Sequence, residues 1–114
     1  VEWRVWDDNV HHSESTSELC SRTWEESWVE NGKRYTQRLD FYNNRTGRDF
    51  LRIEYWDGYV SEDTYHFNWR WDDDDCVRME YGPGDVSYLE DIWIHNNTLT
   101  GYLDEVEVYF KGRL

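Results

Sequence analysis

The run Thr64–Tyr81, TYHFNWRWDDDDCVRMEY, decides the fold class. Its first half alternates without interruption, with Tyr65, Phe67, Trp69 and Trp71 on one side and Thr64, His66, Asn68 and Arg70 on the other. Successive strand residues point to opposite faces, so this spacing predicts a β-strand with one aromatic face and one polar face. Asp72–Asp75 interrupts the pattern, and it resumes with Val77, Met79 and Tyr81 against Arg78 and Glu80. Two alternating runs across a short polar break predict a β-hairpin.

The same device repeats in both directions. Upstream, Arg22–Glu30 carries Trp24 and Trp28 on one face and ends at Asn31-Gly32, a type I′ hairpin signal. Arg34–Tyr42 puts Tyr35, Gln37, Leu39 and Phe41 inward, and Asn43–Gly47 makes a turn in which Gly47 is available for positive φ. Arg48–Trp56 offers Leu51, Ile53 and Tyr55 on one face, and Asp57-Gly58 opens a looser connection expected to run to Asp63. Downstream, Gly82–Asp85 holds the single proline and turns the chain. Leu89-Glu90-Asp91 breaks the alternation of the next strand, where a bulge is expected. Asn96-Asn97 and Asp104-Glu105 turn the last strands. Eight short strands joined by tight turns predict an all-β, single antiparallel up-and-down β-barrel.

The N-terminal stretch differs. Val1, Trp3 and Val5 alternate as one short strand would, and Asp7–Ser13 is polar. Ser15-Thr16-Ser17-Glu18 has capping-box spacing, predicting a helical turn over Thr16–Cys20 with Leu19 buried. The expected organisation is an N-terminal segment, 1–18, followed by a barrel domain, 19–114.

Composition supports this class and excludes others. Of 114 residues 18% are aromatic, and alanine is absent, so strand formers abound while helix formers are scarce. A formal net charge of −13 removes the chain from the general binders of nucleic acid, which neutralise phosphates with clustered Lys and Arg. No apolar run reaches membrane-spanning length. The sequence opens at Val1 with no initiator Met, from which removal of an export or anchor segment is expected. Cys20 and Cys76 match no metal or redox motif and are compatible with one disulfide or two free thiols.

The order of short motifs resembles the lipocalin-like domains of small secreted lipoproteins from Gram-negative gut anaerobes. Leu19 and Trp24 open it, Leu39-x-Phe41 and Thr46-Gly47 follow, then Phe67-x-Trp69, Val77-x-Met79-x-Tyr81 and Asn96-x-x-Leu99-x-Gly101. The resemblance spans residues 19–113. Arg22 stands where the wider lipocalin group opens with glycine. The resemblance implies an eight-stranded barrel, export to the periplasm or cell surface, and often an upstream lipid anchor. It implies no catalytic residues.

Each chemically suggestive group also has a plain structural account. The aromatics of the inward faces line a cavity or fill a core; a small barrel does one or the other. If a mouth stays open, Trp24, Trp28, Tyr35, Tyr55, Tyr65 and Trp71 are the candidate ligand-binding residues, suited to a small apolar or aromatic ligand. The alternative is a filled core whose surface aromatics contact an envelope protein or a glycan. Asp72–Asp75 lacks the alternate spacing and glycine of a calcium loop and fits a solvated turn. His11, His12, His66 and His95 fit surface positions, so no metal and no cofactor is expected. Glu26, between Trp24 and Trp28 on an aromatic face, is the one oddly placed carboxylate. No nucleophile–base pair accompanies it, and a non-catalytic protein is expected.

Overall fold

Turn chemistry sets the strand order. Asn31-Gly32, Asn96-Asn97 and Asp104-Glu105 each place two successive residues at positive φ. That pair of conformations defines the type I′ turn, whose twist matches the strands it joins. The computed structural model describes residues 15–114. The proposed strand over Val1–Trp6 and the pair His11-His12 lie outside the described residues.

Eight strands follow in chain order: β1 (Thr23–Glu30), β2 (Lys33–Phe41), β3 (Thr46–Glu54), β4 (Val60–Asp73), β5 (Cys76–Gly82), β6 (Asp85–His95), β7 (Thr98–Leu103) and β8 (Val106–Arg113). Each pairs antiparallel with its neighbour, and β8 pairs with β1 to close the barrel. The expected all-β up-and-down barrel is the observed fold.

Three local features differ from or sharpen the expectation. β4 begins at Val60 rather than after Asp63, because Val60–Asp63 continue the ladder opposite Leu51–Glu54. Cross-strand pairing there overrides the weak strand preference of Ser61, Glu62 and Asp63. Second, Arg45 takes the left-handed conformation in the β2–β3 turn, at φ 71°, while Gly47 is a buried strand residue. A Cβ at Gly47 would run into the Phe67 ring, so the glycine makes room for a core aromatic. Third, the irregularity in β6 is a bulge. Asp91 sits at φ 53° and the register with β7 shifts between Glu90 and Trp93. A Cβ on Gly101 would lie 2.6 Å from the Glu90 carbonyl oxygen, so only glycine admits the bulged backbone.

One end of the barrel is filled. Residues 15–19 form a helical turn whose last residue, Leu19, is wholly buried. The Trp24 indole donates to the Leu19 carbonyl at 3.0 Å, and the Trp71 indole to the Thr16 hydroxyl at 2.8 Å. Trp24, Leu39, Phe41, Phe67, Trp69 and Met79 form the centre of the core. Trp69 is 3% exposed, stands opposite Met79 in the ladder, and meets the Phe41 ring edge-on at 5.7 Å. Cys20 and Cys76 are both free thiols.

Candidate functional site

The barrel is closed along its whole girth only near the helical turn. β1 pairs with β8 over Thr23–Glu25 alone, and β4 pairs with β5 only from Asn68 onward. Beyond those points β1–β4 continue as a four-stranded wing. β5 ends at Gly82, which lies level with His66, so the six further residues to Val60 carry the wing ~20 Å higher.

Register fixes which side chains share the inner face of the wing. Trp28 stands opposite Tyr35 and Tyr35 opposite Ile53; below them come Glu26, Gln37 and Leu51, then Asp49 opposite Tyr65. The Trp28 and Tyr35 rings stack at 5.3 Å with planes 5° apart. Stacking covers one face of each ring with the other and holds both rigid, leaving the partly buried pair with its outer faces to contact a ligand. Tyr65 is half exposed on the same face.

Between this platform and the packed core lies a layer of polar groups. The Tyr81 hydroxyl on β5 donates to Asp49 Oδ2 at 2.8 Å, and Gln37 Nε2 donates to Asp49 Oδ1 at 3.1 Å. Burial, followed by the Asp49 charge, pushes the Tyr81 hydroxyl well above the usual tyrosine range. Glu26 sits where β1 and β8 part, accepting from the Tyr109 backbone N–H at 3.4 Å. Burial raises its pKa, and the Tyr109 hydrogen bond pulls partly the other way.

The six aromatics singled out from sequence divide into three groups. Trp28, Tyr35 and Tyr65 share the inner face of the wing. Tyr55 lies at its tip, 5.4 Å from the Tyr59 ring and beneath the Lys33 ammonium. Trp24 and Trp71 are at the closed end, where the first is fully buried and the second is tied to Thr16, so neither faces the mouth. Alternation placed them on the inward face correctly, but face alone does not tell height along the barrel. The polar partners Gln37, Asp49 and Tyr81 complete the inner surface. Their signal in the sequence was a polar residue at an inward parity, seen at Gln37 and overlooked at Asp49.

The remaining candidates occupy plainer positions. His66 is exposed on the outer face, and His95 stacks on Trp93 at 5.0 Å. Asp73 accepts from the Asp74 N–H within the β4–β5 turn. Among the described residues no group of three or more His, Cys, Asp or Glu is placed to hold a metal ion, and no helix is long and apolar enough to cross a membrane. A cleft of about 530 Å³ opens where β4 leaves β5, between Tyr42, Phe67, Tyr81 and Pro83.

The site and fold together define an eight-stranded antiparallel barrel with one packed end and one splayed, aromatic end. No family model matches the chain, and no curated protein or solved structure matches it.

Proposed function

We propose that this chain is a non-catalytic, exported lipocalin-like barrel that binds a small apolar or aromatic ligand at its splayed end. The observation that carries this reading is the Trp28–Tyr35 stack standing directly above the Tyr81–Asp49–Gln37 layer. An apolar surface with a few convergent polar groups is the usual make-up of a small-molecule site. A flat ring system would lie on the stacked pair, and a polar end would reach Asp49 or Gln37. The net charge of −13 favours a neutral or cationic ligand over an anionic one. The lipoprotein-like motif order over residues 19–113 supports export to the periplasm or cell surface, held there by an upstream lipid anchor.

Titration with the neutral probe N-phenyl-1-naphthylamine tests this. A saturable rise in probe fluorescence is expected, together with a loss of signal in Trp28→Ala. Unsaturable uptake, or uptake equal in Trp28→Ala, would contradict the reading.

A second reading rests on a different observation. Trp56 is 84% exposed and Tyr59 64% exposed at the β3–β4 tip, unusual for large rings on a soluble domain. They favour an interaction domain of the cell envelope that contacts a protein or glycan through its surface aromatics. Binding lost in Trp56→Ala and retained in Trp28→Ala would select that reading.

A further inference from the structure

The outer edge of β4 offers a second recognition surface, distinct from the inner face of the wing. The Trp69 N–H donates to the Arg45 carbonyl at 2.8 Å, toward β3. In an antiparallel ladder bonding direction alternates along the strand. Odd-numbered residues of β4 therefore bond toward β3, and Glu62, Thr64 and His66 turn their N–H and C=O groups the other way. β5 takes up that side only as far as Asn68, and among the described residues no strand pairs with Val60–Phe67 there. All five residues from Glu62 to His66 are exposed.

Natural edges are blunted by charge, proline or a bulge; Val60–Asn68 has no lysine, proline or bulge, and what guards it is the negative charge of Glu62 and Asp63. The charges it carries are carboxylates, Glu62 and Asp63, with Glu54 and Asp57 beside them; the cations opposite on β3 are Arg52, shared between Glu54 and Glu62, and Arg48, which is held by Asp40. On a chain of net charge −13, such an edge repels a second copy and attracts a cationic strand. A strand laid along it would run in line with β5 and meet the 530 Å³ cleft beside Gly82, where Tyr42, Phe67 and Pro83 leave room for one apolar side chain.

The geometry points to the β4 edge, Val60–His66, as the docking line for a basic, extended peptide segment of a partner polypeptide, added as a further antiparallel strand. Main-chain hydrogen bonds supply affinity in this mode, and side-chain charge and the cleft supply selectivity. The partner is thus a strand that alternates Lys or Arg with apolar residues.

Fluorescence anisotropy with two labelled peptides tests this, one alternating lysine with valine and one alternating glutamate with valine. The basic peptide should bind saturably and the acidic one at least about tenfold more weakly. Thr64→Pro removes an N–H that points away from β3, so it keeps the β3–β4 ladder and should weaken the basic peptide by about tenfold or more. The variant Glu62→Lys, on the outer face opposite Arg52, leaves the backbone edge and the inner face intact and should weaken the basic peptide while strengthening the acidic one. It keeps the test decisive should Thr64→Pro disturb the fold. Basic-peptide binding unchanged in both variants would overturn the proposal. So would a dimer of the wild-type chain abolished by Thr64→Pro, which would assign the edge to a second copy. Naphthylamine uptake should be equal in all three proteins, so failure here is separable from failure of the inner-face site.

Discussion

The Tyr81 hydroxyl and the Asp49 carboxylate meet at 2.8 Å across the barrel interior, joining β5 to β3 over the intervening strand. The bond ties the two halves of the barrel at the level where they begin to part. It also closes the top of the packed core beneath the Trp28–Tyr35 platform.

A pH dependence follows from that pair. Burial first, then the Asp49 charge, raises the Tyr81 pKa above its unfolded value near 10. A raised pKa means the stabilisation is fully present below pH ~10 and is lost as pH rises toward the folded-state value. Tyr81→Phe should be less stable than wild type at pH 7, by about 1.5–3 kcal/mol for a lost hydrogen bond to a charged group. The gap should narrow above pH 10, because phenylalanine has no proton to lose. Melting curves near pH 7 and at about pH 10.5 check this.

Adjacent glutamates on opposite faces of β1 should respond to acid with opposite signs. Glu25 faces outward between Arg38 at 2.7 Å and Arg113 at 2.7 Å. The Arg38 hydrogen bond is the main cause that lowers its pKa. Its contribution is therefore present above pH ~4.5 and lost as pH falls through the lower folded value. Glu26 faces inward, and burial raises its pKa, so its contribution is present below pH ~4.5 and lost as pH rises. Glu25→Gln should lower the melting temperature at pH 7 and lose that effect near pH 3. Glu26→Gln should raise the melting temperature at pH 7 relative to pH 4.

Trp69 and Arg70 are neighbours on opposite faces of β4, one 3% exposed and the other exposed to solvent. Trp69 fills the space between Phe41 and Met79, and its indole donates at 3.1 Å to the Tyr42 and Thr46 carbonyls. Trp69→Ala should cost about 3–5 kcal/mol, a large share of a small domain's stability. Arg70→Ala should stay within about 0.5 kcal/mol. Denaturant melts of the two variants give the comparison directly.

Alternation and turn chemistry were strong enough in the sequence to specify eight strands, their order and their inward faces. Trp69, Phe41 and Met79 met in the core because period-2 patterning identifies a face without ambiguity. Height along the barrel was not legible. Trp24 and Trp28 share a face, yet the helical turn buries the first and the splayed end presents the second. That difference arises from where β1 loses β8, a property of register between strands distant in sequence. The role of Gly47 was likewise hidden, since nothing local announces that a Phe67 ring will lie over it. Glu26 stood out in sequence as a carboxylate on an aromatic face, and its place at the β1–β8 split gives the reason.

The central claim is that ligand lies on Trp28 and Tyr35, at the splayed end. Indole N–H resonances report each tryptophan separately in an ¹H–¹⁵N correlation spectrum of the intact chain. On addition of N-phenyl-1-naphthylamine the Trp28 signal should move saturably, while those of Trp24 and Trp69 in the core and Trp93 on the outer wall stay in place. A spectrum in which Trp56 or Trp93 shifts and Trp28 does not would contradict the account and move the site to the outer surface.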